Sequence, residues 1–315
     1  MRRAYLLHLS FNMWFDRTDV EGTPHNRYCE TLQCDEAAWD AVVNRLADCG
    51  FTTVVVDLGD GARWHSRPEI ALPDAWSRDR LKKKLEEMRA LGLEPIPKFN
   101  FSASHDAWMR PYDRMVSTPV YYDVCADLIA EAAELFDGPP LFHLGYEEEN
   151  LRGQQRYEYI VIRGDDLWWH DLFFLCDRVR ETGARPWIWA EDLYLEHRDL
   201  NDPDGTGPVH CRLPKNILTS NWYYGADFTP ANPRQKMLAS GYEKLERLGF
   251  DQVPCCSNLR FRQNAAETVA HCRKIISPEH LTGFIMTTWL PTVRECRDQL
   301  LEAAEIGGEA FPGEK

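Results

Sequence analysis

The sequence predicts a single (β/α)₈ barrel spanning residues 1–315. Eight apolar, β-branched or aromatic runs alternate with segments of helical spacing, and each helical segment ends near a glycine. Eight such alternations in 315 residues indicate a closed barrel of parallel strands. A doubly wound sheet is the competing fold, but it usually carries a glycine-rich phosphate loop, and neither GxGxxG nor GxxxxGK occurs.

Each element follows from its own pattern. The predicted strands, rich in β-branched and aromatic residues, are 4–10, 52–57, 94–101, 140–146, 185–190, 216–222, 251–256 and 281–289. The first two predicted helices begin at Asp35 and at Ser77, residue types that cap helices, and end before Gly50 and Gly92. Apolar residues at helical spacing predict the others at 121–136, 166–182, 235–248, 264–276 and 295–305. A polar stretch at about 195–215 predicts a long loop after the fifth strand, either a lid or an exposed insertion.

Composition excludes several classes of partner. The net charge of −14 disfavours nucleic acid and anionic membrane surfaces, and no apolar run is long enough to span a bilayer. Most of the ten cysteines lie in helix or strand patterns, where a free thiol packs as a small apolar residue. The apolar run after the first residues gives way to polar residues too early for a signal peptide, so we expect the protein in a reducing cytoplasm. The sequence is also compatible with a signal peptide that has been trimmed. A homodimer is also compatible with the sequence.

Three consecutive acids, Glu147, Glu148 and Glu149, directly follow the fourth predicted strand. Adjacent carboxylates resist ionising together, so their pKa values are expected to split. Hydrolysis of an acetal needs such a pair, with one group kept as an acid and one kept charged. The alternative is a solvated acidic loop.

Polar and aromatic residues recur at the carboxyl ends of the predicted strands, where barrels of this kind build their active sites. They are Asn12, Trp14, Asp57, Asp60, Trp64, Lys98, Asn100, His105, His143, Trp187, Trp189, Glu191, Asp192, Asn221, Trp222, Tyr223, Tyr224, Asn258 and Trp289. Indole faces pack on the C–H faces of sugar rings, while amides and carboxylates bind hydroxyl groups. The cluster therefore indicates a carbohydrate site, although any one tryptophan has the alternative of filling the core.

Five segments match, in order, motifs of one enzyme family. They are residues 58–70, 95–105, 143–148, 185–191 and 286–289. The third, His-Leu-Gly-Tyr-Glu-Glu, is similar to the pattern His-x-Gly-Gly-Asp-Glu with two changes. The chain thereby resembles the catalytic barrel of the family 20 glycoside hydrolases, the β-N-acetylhexosaminidases.

The resemblance implies substrate-assisted, retaining hydrolysis of β-linked N-acetylhexosamine-type sugars, without metal or cofactor. Glu147 would polarise the acetamido group of the sugar, and Glu148 would protonate the leaving oxygen. Walls of the acetamido pocket would come from Trp189, Trp222 and Trp289, with His105 and Asp60 nearby and Glu191 contacting a hydroxyl or the leaving group. The strand ends add Trp64, Asn100, Tyr224 and Asn12 as substrate-binding candidates.

The chain also departs from the family pattern. Glu147 stands where the family has Asp, and Leu290-Pro291 occupies the place of a further Glu. The Arg near the end of strand 1 that holds sugar hydroxyls has no clear counterpart, with Asn12 or Arg17 as substitutes. These departures motivate a second hypothesis, a degenerate carbohydrate-binding barrel. A third is a metal-dependent sugar isomerase whose ligands would be His143, Glu147, Glu149 and Asp192.

Overall fold

The computed structural model describes residues 1–18, 25–149, 157–159, 161, 163, 165–190 and 212–313. Its strands are β1 (Arg2–His8), β2 (Thr53–Asp57), β3 (Glu94–Lys98), β4 (Leu141–His143), β5 (Arg185–Trp189), β6 (Leu218–Ser220), β7 (Cys255–Ser257) and β8 (Gly283–Thr287). The α-helices of the described residues are α1 (Glu36–Asp48), α2 (Arg78–Ala90), α3 (Pro119–Leu135), α4 (Asp165–Glu181), α5 (Pro233–Arg247), α6 (Asn264–Ile275) and α7 (Arg297–Ala310). The predicted (β/α)₈ barrel is confirmed.

The strands form one parallel sheet in the order β6-β5-β4-β3-β2-β1-β8-β7. Its two outer strands approach each other through the bridges Thr219↔Gln252 and Trp222↔Cys255, which close the barrel. The register places His8 beside Asp57, Asp57 beside Lys98, and Lys98 beside His143, so these side chains share one level near the carboxyl ends of the strands.

Apolar residues pack on both faces of the sheet. Alternate strand residues such as Leu6, Val55 and Ile96 fill the lumen. Their neighbours, such as Leu7 and Val54, pack outwards against the helices. Because both faces are buried, the strands read as nearly continuous apolar runs, which is why the sequence pattern locates them.

Local signals explain the helix ends. The side chain of Asp35 accepts a hydrogen bond from the backbone of Ala38, and Ser77 accepts one from Arg80, so both predicted caps are confirmed. Gly50 and Gly92 adopt φ of +72° and +77° just past the first two helices, a conformation that favours glycine. Strand β4 ends at His143, earlier than the predicted 146, because the residues that follow leave the extended conformation.

The upper lumen holds a charged cluster. Lys98 Nζ lies 2.7 Å from Asp57 Oδ2, and His8 Nδ1 lies 3.3 Å from the same oxygen. Burial opposes the charge of Asp57, but Lys98 and His8 together outweigh burial and hold the pKa of Asp57 below its ordinary value. Asp57 and Lys98, expected at the mouth, therefore neutralise each other beneath it.

Other expectations concern the chain as a whole. No helix of the described residues is both long and apolar enough to cross a bilayer. The nine cysteines within the described part are free thiols, and Cys125, Cys176 and Cys272 are buried in helices as expected. Most of the predicted loop, residues 195–211, lies outside the described residues, and the single-domain organisation and the homodimer stay predictions.

Candidate active site

A tight turn after β4 delivers the three acids to the barrel mouth. Gly145 has φ of +68°, and a Cβ atom there would stand 2.7 Å from the Cα of Asn100. Tyr146 and Glu148 also have positive φ, +67° and +53°, although both carry side chains. Such conformations persist only where their surroundings enforce them, and they cluster at functional sites.

The loop after β3 fixes Glu147. Its backbone N–H donates to Ser102 Oγ at 2.5 Å, and its carbonyl oxygen accepts from Ser104 Oγ at 3.0 Å. Its side chain is buried, and Oε1 accepts from Asn100 Nδ2 at 3.3 Å. The carboxylate is therefore held in a defined orientation by a neutral donor.

Glu148 faces a histidine and is more open than its neighbours. Its side chain is 26% exposed, and Oε2 lies 3.4 Å from His105 Nε2. The other ring nitrogen, Nδ1, lies 3.2 Å from the carbonyl oxygen of Met13. A carbonyl can only accept, so we assign a proton to Nδ1, which leaves Nε2 facing the carboxyl group of Glu148. We call these two residues the His105–Glu148 pair.

Glu149 is occupied by a buried ion pair. Its Oε2 accepts from Arg163 Nε at 2.8 Å, and Oε1 accepts from the backbone of Ala103 at 2.9 Å. Arg163 also bonds Asp171 at 3.0 Å, so its charge is neutralised on two sides. Glu149 therefore anchors the loop after β4 rather than facing a ligand.

The proposed metal ligands do not converge in the part of the chain described. Burial, reinforced by the charge of Lys98, lowers the pKa of His143 well below its ordinary value. Its Nδ1 accepts from the backbone of Gly145 at 3.0 Å. Among the described residues no group of three or more His, Cys, Asp or Glu side chains is placed to hold a metal ion. Asp192 lies outside those residues.

Aromatic rings wall the cavity in front of the acids. The cavity has a volume of about 360 Å³, and Glu147 and Glu148 both line it. Four rings line it as well, those of Trp14, Trp222, Tyr224 and Trp289. Trp222 stacks on Tyr224 at 5.3 Å between ring centroids, and Trp289 Nε1 donates to the Tyr224 hydroxyl at 2.9 Å. A rigid, flat-walled cavity beside two carboxylates suits a pyranose ring.

The fold has solved relatives. The chain is similar to an exo-β-N-acetylglucosaminidase of glycoside hydrolase family 20 from Vibrio harveyi (13% identity, TM-score 0.60), covering 99% of this chain and 54% of that one. It is similar to an N-acetyl-β-hexosaminidase from Streptomyces plicatus (13%, 0.58), covering 97% and 63%, and to a family 20 β-N-acetylhexosaminidase from Streptomyces coelicolor (13%, 0.59), covering 97% and 64%. The fold is that of the family 20 glycoside hydrolase barrel.

The sequence resemblance is thereby confirmed at the level of the fold. This family 20-like barrel spans between about half and two thirds of the length of those three solved chains. No protein-family model and no curated protein matches the chain.

The predicted site residues of this family 20-like barrel fall into distinct places. Glu147, Glu148, Trp222, Tyr224 and Trp289 line the cavity. Just behind this lining lie Asn100 and His105 beside the acids, and Trp189, whose ring lies 5.8 Å from that of Trp289 in the lumen. Trp64 instead packs on Phe99 at 5.2 Å in the outer apolar layer, where its Nε1 donates to the carbonyl oxygen of Gly59 at 3.0 Å. Glu191 lies outside the described residues.

Asp60 and Asn12 join two loops by hydrogen bonds and are not among the residues that line the cavity. Asp60 accepts from Ser10 Oγ at 2.5 Å and from Asn12 Nδ2 at 2.8 Å. Asn12 in turn bonds both the N–H and the carbonyl oxygen of Cys29, which ties the loop after β1 together. Burial raises the pKa of Asp60 to about 7, against the hydrogen bonds from Ser10 and Asn12 that lower it.

Four further lining residues went unrecognised in the sequence, His25, Asn26, Leu259 and Arg260, and Leu290 was noted only as a departure from the family pattern. They follow β1, β7 and β8, the loops in which barrels of this kind place their ligand contacts. That rule is the signal that could have found them. No spacing or composition marks them individually, since loop residues carry no periodicity.

Replacing Gly145 by Ala tests the turn. The new Cβ would meet the backbone of Asn100 in a conformation unfavourable to alanine, so we expect a loss of about 2–4 kcal/mol in the free energy of unfolding. Gly92→Ala is the matched control, because Gly92 has φ of +77° with nothing within 4 Å, and it should lose only about 1–2 kcal/mol. Denaturant unfolding measures both, and equal losses would contradict the close approach.

Replacing Asp60 by Asn tests the buried carboxyl. Asp60 titrates at about 7 when folded, against about 3.9 when unfolded, so the folded state binds more protons between these values. The wild-type free energy of unfolding should therefore fall as pH rises from about 4 to about 7, relative to Asp60→Asn, by at most about 1.4 kcal/mol per pH unit.

Thermal unfolding at pH 5 and pH 8 measures this difference. The melting temperature of the wild type, minus that of Asp60→Asn, should decrease between the two values. Asp79→Asn, at an exposed site, is the control and should show no such trend. A difference that stays constant would show that Asp60 is ionised throughout.

Proposed function

We propose that the protein is a glycoside hydrolase that acts on β-linked N-acetylhexosamine-type sugars by substrate-assisted, retaining hydrolysis. The observation that carries the proposal is the convergence of Glu147 and Glu148, in different environments, on one cavity walled by aromatic rings. The family 20-like fold over 97–99% of the chain supports it. In this mechanism the sugar's own acetamido oxygen attacks the anomeric carbon, so the protein supplies no nucleophile.

Glu148 is the proposed general acid. It is the more exposed of the two acids in the cavity, and Nε2 of His105 faces its carboxyl group at 3.4 Å. His105 is itself held by the Met13 carbonyl and by the edge of the Trp14 ring at 5.1 Å between centroids. The acid is therefore positioned before substrate arrives.

Glu147 is the proposed polarising carboxylate. The hydrogen bond from Asn100 favours the ionised form of Glu147, although burial opposes it. The carboxylate would orient the acetamido N–H and stabilise the positive charge that develops on the acetamido group. The extra methylene relative to Asp moves the carboxylate outwards, and the Ser102 and Ser104 contacts set the backbone from which it extends. From this fixed backbone, the Glu147 side chain can contact a ligand that lies farther from the end of β4 than Asp could reach.

Replacing Glu148 by Gln tests the acid. We expect kcat on a 4-methylumbelliferyl β-N-acetylglucosaminide or galactosaminide to fall by about 10²–10⁴, because the amide cannot protonate the leaving oxygen. The melting temperature should barely change, since the side chain is partly exposed and the amide is isosteric. Glu279→Gln, at an exposed position before the amino end of β8 and thus at the opposite end of the barrel from the cavity, is the control and should keep full activity.

An active Glu148→Gln enzyme would contradict this assignment. The other two hypotheses give different outcomes with the same proteins. Saturable binding of N-acetylglucosamine without cleavage of any glycoside would indicate a carbohydrate-binding barrel. Activity abolished by a chelator and restored by a divalent cation would indicate the metal-dependent isomerase.

Two substitutions of His105 test the His105–Glu148 pair. Asn reproduces the position of Nδ1, which faces Met13, while Gln reproduces that of Nε2, which faces Glu148. We expect His105→Asn to lower kcat by about tenfold or more with little change in KM, because Glu148 loses its partner. His105→Gln should retain more of kcat. The reverse order would assign the role of His105 to its contact with Met13.

A further inference from the structure

The wall of the cavity that faces the acids has a distinct composition. His25 and Asn26 follow β1, Arg260 follows β7, and Leu290 follows β8. These strands are neighbours in the sheet, whereas β4, which carries Glu147 and Glu148, lies on the opposite side of the closed barrel. We call His25, Asn26, Arg260 and Leu290 the far wall.

The far wall carries a cation and no carboxylate. Among the described lining residues, Glu147 and Glu148 are the only acids, and Arg260 is the only Lys or Arg. Arg260 is exposed and has no ion-pair partner among the described residues, whereas Arg262 in the same loop pairs with Glu302. In a chain of net charge −14, the described structure thus leaves a guanidinium facing the cavity without a carboxylate beside it.

The two walls suit different parts of a sugar. Glu148 would protonate the oxygen at the anomeric carbon, so the far wall would meet ring substituents remote from the bond that is cleaved. Neutral hydroxyls both donate and accept hydrogen bonds, and carboxylates commonly hold them as acceptors. A guanidinium can also hold a hydroxyl, but it only donates, so together with imidazole and amide groups it favours a group that only accepts. Its planar fork fits an oxyanion with two oxygens.

We propose that the cavity takes a β-linked amino sugar with an anionic substituent, a sulfate ester or a carboxylate, on the ring side remote from the glycosidic bond, and that Arg260 determines this specificity. The proposal rests on the proposed function and narrows its substrate class. Arg260 acts on substrate binding and not on the proton transfer, because it lies across the cavity from Glu148.

Three aryl glycosides test the proposal: the unmodified β-N-acetylglucosaminide, its 6-sulfate, and the corresponding 6-carboxylate (uronide). We expect at least one charged substrate to exceed the unmodified one tenfold or more in kcat/KM, and the two charged arms distinguish a sulfate from a carboxylate. Arg260→Ala should remove most of this preference, measured as the ratio of kcat/KM for the charged substrate to kcat/KM for the unmodified one. Arg262→Ala, in the same loop, is the matched control and should keep the preference.

Calorimetric binding of free N-acetylglucosamine and its 6-sulfate and 6-carboxylate forms to the Glu148→Gln protein gives a readout independent of turnover. Tighter binding of a charged sugar that Arg260→Ala weakens tenfold supports the proposal even if no glycoside is cleaved. Preference for the unmodified sugar, or a charged preference that survives Arg260→Ala, overturns it. Cleavage of the unmodified glycoside alone would leave the proposed function standing.

Discussion

The approach of Gly145 to Asn100 is the constraint on which the rest of the site depends. The two strands can end this close together only because residue 145 has no side chain and can adopt a positive φ. The loop after β3 then lies within hydrogen-bonding reach of the loop after β4, and Asn100, Ser102 and Ser104 hold Glu147 from three directions. A bulkier residue at this point would separate the acids from the groups that orient them.

Three acids that are adjacent in sequence thereby acquire three environments. Glu149 is neutralised by Arg163, Glu147 meets an amide, and Glu148 meets a histidine at the edge of solvent. General acid catalysis beside a charged carboxylate requires such a difference, because it decides which of the two groups keeps the proton. The positive φ of Glu148 contributes to it, because this conformation breaks the strand alternation and lets successive side chains reach one cavity.

The fold was predictable because each strand is buried on both faces and each helix is amphipathic, patterns that a sequence displays directly. The acid pair and Trp222, Tyr224 and Trp289 were predictable because they end strands. Strand-end position does not say which way a side chain turns, so Asp60 and Asn12 were expected in the cavity and instead tie two loops together. Arg260 was out of reach for a different reason, since only the path of its loop brings it to the cavity.

The departures from the family pattern are unevenly distributed around the barrel mouth, and this distribution bears on the choice between the proposed hydrolase and a degenerate carbohydrate-binding barrel. The Arg that would hold sugar hydroxyls has no clear counterpart after β1, and the Glu is replaced after β8, which is the side where His25, Asn26 and Arg260 line the cavity. On the opposite side, Glu148 faces His105 and Glu147 accepts from Asn100. The positive φ of Glu148 is an unfavourable conformation held against His105, which supports the proposed catalytic role. Apart from Glu147 in place of Asp, the departures lie on the side of the far wall, and this distribution supports the proposal of an altered substrate rather than a lost reaction.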